Sequence, residues 1–103
     1  METKKKTIGI LKKILYQTRK GNIEWRELDG ENFITDIGKT NLRVEMDFMG
    51  IYDLNGKLLE SLTNKDLKNE DLTISGMFEA AKKSALKVYD KLNDLEKTLD
   101  NFI

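Results

Sequence analysis

The spacing of apolar residues changes twice along this chain, and those two changes dictate the order of its secondary structure. From Ile8 to Thr18 the apolar positions follow the period of a helix, from Ile23 to Leu62 they alternate as in strands, and from about Ile74 the helical period returns and runs to Phe102. A helix, a block of strands and a final helix, with no helix interleaved between strands, specify an α+β fold with an antiparallel sheet. The 103 residues suffice for one core and one domain.

In the first block Thr7 is placed to cap a helix over about Ile8 to Lys20, and Gly21 stands where a left-handed residue commonly ends one. Residues 1–6 are expected to be flexible. On a helical wheel Ile8, Ile10, Leu11, Ile14, Leu15 and Thr18 fill one arc, while Lys5, Lys12, Lys13, Arg19 and Lys20 fill the opposite one. Tyr16 falls among the cations rather than on the apolar stripe.

In the second block Ile23 to Leu28 reads as a strand with Ile23 and Trp25 on its inner face, followed by a turn at Asp29-Gly30-Glu31-Asn32 and a strand from Phe33 to Ile37. Gly38-Lys39-Thr40-Asn41 is the next turn. Leu42, Val44, Met46 and Phe48 then alternate with Arg43, Glu45 and Asp47, the clearest strand signal in the chain. The even-numbered apolar set continues through Tyr52 and Leu54, as one strand bent at Gly50 or as two. Asn55-Gly56 is a strong hairpin dipeptide, and Lys57 to Leu62 returns. The expectation is a meander of about four strands.

Thr63 to Asp71 is polar and reads as a loop. Beyond it Met77, Ala81, Ala85, Val88, Leu92, Leu95, Leu99 and Phe102 form a near-heptad seam. No Gly or Pro follows Gly76, so a helix of about 25–28 residues, about 40 Å long, is expected. Such a helix overhangs a small sheet. Leu92, Leu95, Leu99 and Phe102 then need cover from the first helix or from a second copy of the chain, which makes them the candidate homodimer interface.

Composition limits the chemistry. With no His and no Cys, imidazole bases, thiolate nucleophiles, disulfides and the common zinc sites are excluded. No phosphate-binding glycine loop, dinucleotide fingerprint or nucleophile elbow is present. Glu45 and Asp47 would share the outer face of the third strand, where solvent is the plain reading. Asp53-Leu54-Asn55-Gly56 has its glycine too early for a calcium loop, which requires it at the sixth position. No catalytic residue, metal or cofactor is expected.

Net charge is zero, but its distribution is not even. Residues 1–20 carry seven basic side chains and one acidic, residues 21–79 six and thirteen, and residues 80–103 five and four. An anionic partner or ligand would be steered to the first helix, where Lys12, Lys13, Tyr16, Arg19 and Lys20 form the candidate binding face. An aromatic ring amid cations can stack on a base while the amines meet phosphates. The plainer reading is a solvated helix face with one exposed tyrosine. The acidic middle argues against a broad nucleic-acid surface. Apolar runs are too short for a membrane span, and Lys12 and Lys13 interrupt the run Ile8–Leu11 that a signal peptide would need. A cytoplasmic location is expected.

Leu15-Tyr16-Gln17-Thr18 followed by Gly21, Ile23 and Trp25, the Asp53-Leu54-Asn55-Gly56 hairpin, and Ala80-Ala81-Lys82-Lys83-Ser84-Ala85 opening a long helix together resemble a set of small uncharacterised bacterial and prophage proteins. That resemblance implies a context of mobile elements and host–phage conflict, with no catalytic residue to carry over. The resulting expectation is a non-catalytic interaction module, of the phage- or defence-associated inhibitor or immunity type, acting by binding a protein partner. The alternative is a sponge for an anionic nucleotide or other small ligand on the basic face of the first helix.

Overall fold

The computed structural model describes residues 2–102; Met1, part of the expected flexible segment, and Ile103 lie outside the described residues. The fold is α+β. Helix α1 (Glu2–Arg19) leads into five strands, β1 (Arg26–Asp29), β2 (Asn32–Ile37), β3 (Thr40–Val44), β4 (Phe48–Asp53) and β5 (Leu58–Thr63), which are followed by α2 (Ile74–Ala85) and α3 (Val88–Asp100). The strands form one antiparallel meander in sequence order, one strand more than the expected four. α1 and α2 touch each other and cover one face of the sheet, α2 over β1 to β3 and α1 against β5. No helix among the described residues is long and apolar enough to cross a membrane.

α1 starts at Glu2, so Lys4, Lys5 and Lys6 are helical and Thr7 is not a cap. Thr7 is buried in the helix interior, and its hydroxyl donates to the Thr3 carbonyl at 2.7 Å. Lys4 ties the first turn to the sheet: its ammonium donates to the Ser61 carbonyl and lies 3.0 Å from Glu60 and 3.7 Å from Asp66. The N–H of Ser61, then Lys4, holds the Glu60 carboxyl below its ordinary value, and the N–H of Thr63 does so first for Asp66. Groups with lowered values stabilise the fold at neutral pH and lose that contribution as pH falls through them. The inner arc of α1 is as expected for Leu11, Ile14, Leu15 and Thr18, whereas Ile10 is partly exposed. Gly21 closes the helix at φ 82°.

β1 begins after Trp25 rather than at Ile23, but Trp25 is in the core as expected, its indole N–H donating to the Thr18 hydroxyl at 3.0 Å. Phe33, Leu42, Val44, Met49 and Leu62 fill the inner face of the sheet, and Phe33 meets Phe78 of α2 edge to face with centroids 5.4 Å apart. Leu67, and Leu72 just beyond it, pin the otherwise polar 63–71 segment to this core.

The long third strand does not form. Val44 pairs with Met49, and the Glu45 N–H donates to the Phe48 carbonyl at 2.8 Å, so a tight turn falls at 45–48. Because paired residues share a face, this turn moves the inner set from even numbers in β3 to odd numbers in β4. Met46 is therefore exposed in the turn, Tyr52 moves to the outer face, and Leu54 is exposed in the last hairpin. That hairpin is held by Asp53, whose Oδ1 accepts the N–H groups of Asn55 and Lys57 at 2.9 Å, with Gly56 at φ 84°.

The expected helix of about 25–28 residues is likewise two. α2 is capped by Thr73, whose hydroxyl accepts the Gly76 N–H at 3.0 Å, and buries Ile74, Met77, Phe78 and Ala81. Near its end the Ser84 hydroxyl accepts the Trp25 N–H at 3.0 Å and donates to the Ile23 carbonyl at 3.1 Å, and Ala85 packs against the core. Ile23 and Trp25 lead into the edge strand, so the next helical turn has no sheet beneath it. The chain breaks there, with Lys87 left-handed at φ 51°, ψ 47°.

α3 then leaves the body. The Cα radius of gyration is 15.6 Å, against about 13 Å for a compact chain of this length, and the longest dimension is 60 Å. A left-handed lysine costs about 1 kcal/mol that glycine does not. Lys87→Gly is accordingly expected to raise stability by up to about 1 kcal/mol in urea denaturation, whereas in an unbroken helix the same change would lower it by about as much.

Candidate interaction surface

α3 carries the most unusual surface of the molecule. None of its residues is buried. Tyr89 is 76% exposed, Phe102 just beyond the helix is 77% exposed, and Leu92, Leu95 and Leu99 are each more than half exposed. Residues 92, 95, 99 and 102 are spaced three and four apart and form one stripe down one side. The opposite side carries Asp90, Asn93, Asp94, Lys97 and Asp100. An apolar stripe of this kind normally faces a core. Here no other described part of the body covers it.

The basic face of α1 is built as the wheel placed it, with Lys12, Lys13, Tyr16, Arg19 and Lys20 all exposed. Tyr16 is 56% exposed, and the Lys20 ammonium lies 5.2 Å from the centre of its ring, within cation–π range. Lys12 is engaged differently: its ammonium is 2.8 Å from the Glu70 carboxylate, which raises its pKa by hydrogen bond and by charge. One of the five candidate side chains thus already has an anionic partner from the 63–73 segment.

Glu45 and Asp47 do not share a strand face, because both lie in the β3–β4 turn. Among the described residues no group of three or more acidic side chains is placed to hold a metal ion.

A third surface escapes sequence reasoning, the open face of the sheet. The pairing register puts Arg26, Ile34, Arg43 and Gly50 in one row and Asp36, Asn41 and Tyr52 in the next. Ile34 is only 9% exposed although it faces away from the helices, since the stems of its cross-strand neighbours Arg26 and Arg43 can cover it. Asp36 accepts from Asn41 at 2.8 Å and pairs with Arg26 at 3.3 Å, and these, Asn41 first, hold its carboxyl below its ordinary value. The Arg43 guanidinium lies 5.4 Å from the Tyr52 ring centre, and its Nε is buried without a hydrogen-bond partner. Asp36, Asn41, Arg43 and Tyr52, together with Asp53, Leu54 and Gly56, line an open depression of about 320 Å³. Its signal was the Asn41, Arg43, Gly50, Tyr52 set, visible only once the turn at 45–48 is known.

Gly50 makes room for this arrangement. A Cβ there would lie 2.7–2.9 Å from atoms of the Tyr52 ring, inside van der Waals contact. Gly50→Ala is expected to cost up to about 1 kcal/mol, because only the outer end of the partly exposed Tyr52 side chain has to move, and less in a Tyr52→Ala background. A thermodynamic cycle from urea denaturation measures the difference, and additive costs would contradict this stacking.

Neither protein families, curated proteins nor solved structures give a match to this chain. The functional reading rests on these surfaces.

Proposed function

We propose that this chain is a small non-catalytic interaction module that acts by binding another protein chain along the apolar stripe of α3. The observation that carries the reading is a whole helix with no buried residue and an exposed row at Leu92, Leu95, Leu99 and Phe102. Apolar surface gathered on one side of a projecting helix characterises helix-mediated recognition, and inhibitors and immunity-type proteins, which occupy a partner's surface, are one class that works this way. The test is capture from a lysate of the native host by the intact chain and by Leu92→Glu/Leu99→Glu. A partner retained by the first and lost by the second, with an unchanged circular dichroism spectrum, supports the reading; equal capture by both overturns it.

A second reading is favoured by one observation, the exposed Tyr16 ring with Lys20 against it. It takes the basic face of α1 as a site for a small anionic ligand such as a nucleotide, while the Lys12–Glu70 pair weakens that face. A thermal-shift screen with nucleotides decides: stabilisation lost in Tyr16→Ala supports this site, and no shift removes it.

A further inference from the structure

We infer that the partner along the α3 stripe is a second copy of this chain, the two helices lying parallel and in register; this rests on the reading of α3 as an interaction surface. Leu92 and Leu99 take the a positions of a heptad, and Val88 and Leu95 the d positions, with Phe102 at the next d place just beyond the helix. The flanking g position holds Lys91 and the flanking e position Glu96.

In a parallel pair a g residue faces the e residue five places on in its neighbour. Lys91 of each chain then meets Glu96 of the other, twice by symmetry. An antiparallel pair brings e to e and g to g, which sets Glu96 against Glu96 or leaves Lys91 opposite Thr98. Only the parallel arrangement satisfies both charges. Leucine at the central d position also suits a two-stranded coil. The remaining outward positions, Asp90, Asn93, Asp94, Lys97 and Asp100, are those a dimer leaves in water.

α3 projects beyond the sheet after the break at Lys87, and Leu92, Leu95 and Leu99 are each more than half exposed, so the seam is open to a second chain. The seam spans only about two heptads, too short for a stable isolated helix pair, so association is expected at micromolar rather than nanomolar concentrations.

Sedimentation equilibrium from about 1 μM to about 1 mM tests the inference on the full chain. The mass is expected to rise from the 11.9 kDa of one chain to twice that, and Leu95→Glu is expected to hold it at one chain throughout. Lys91→Glu alone and Glu96→Lys alone should each weaken association by about tenfold or more, and mixing the two variants should restore it as a heterodimer. The chain has no cysteine, so Val88→Cys gives a clean orientation probe: a disulfide-linked dimer under mild oxidation is expected from the parallel pair, because the antiparallel one sets the two cysteines far apart. A single-chain mass at every concentration overturns the inference, as does association that neither charge variant weakens. If the chain is monomeric yet captures a host protein through the stripe, the inference fails and the interaction-module reading stands; if it is monomeric and captures nothing, both fail.

Discussion

Phe33→Ala is expected to remove about 3–5 kcal/mol of folding stability. Phe33 is 1% exposed, lies beside Val44 in the sheet register and meets Phe78 edge to face across the interface with α2. Truncation therefore opens a cavity at the contact that joins the sheet to its covering helix. Aromatic pairs of this geometry add about 0.5–1.5 kcal/mol beyond the area they bury. A domain of this size has only about 5–15 kcal/mol in all, so the variant should unfold at much lower urea, or be largely unfolded at 37 °C. A loss under about 1 kcal/mol would contradict the central placement of this ring.

The second large effect belongs to Trp25, and its size depends on the substitution. Trp25→Ala should cost about 3–5 kcal/mol, because the indole is 4% exposed and packs between α1, α2 and the sheet. Trp25→Phe keeps most of the apolar volume but removes the indole N–H that donates to the Thr18 hydroxyl at 3.0 Å. Thr18 is itself buried, and a buried polar group left without its partner costs about 1–3 kcal/mol. Pairing Trp25→Phe with Thr18→Val removes both halves of the bond and should recover much of that loss. A double-mutant cycle by urea denaturation with no coupling would show that the bond is not made.

Where the amino-acid sequence was legible, it was because one residue decides one local outcome. Gly21, Gly38 and Gly56 all adopt positive φ at the expected turns, and Asp53 braces the last hairpin in the way its neighbours Asn55 and Gly56 suggest. The α+β order followed directly from the two changes of period. What was not legible depended on distant partners. Alternation from Leu42 to Leu54 continues in the sequence through a tight turn, and only the pairing of Val44 with Met49 reveals that the inner face changes parity. Nothing local marks Lys87 as a break; it falls just beyond Ser84 and Ala85, the end of α2 that is bonded to Ile23 and Trp25 and packed on the core. The Lys12–Glu70 pair is not legible because Glu70 lies 58 positions away in a segment without periodicity. The α1 face and the α3 stripe were legible as surfaces, whereas the Arg43 and Tyr52 layer was hidden by the same change of parity.

The independence of α3 from the core bears on how this sequence can change over time. Substitutions at Phe33 or Trp25 are screened by folding itself, since each alters the stability of the whole domain. Leu92, Leu95, Leu99 and Phe102 are under no such filter, because no residue of α3 is buried and the sheet and its two covering helices close without it. Left to drift, exposed leucines on a projecting helix would give way to polar residues that are cheaper to keep soluble. Their identities in relatives therefore record the demands of whatever meets that helix, separately from the demands of the fold.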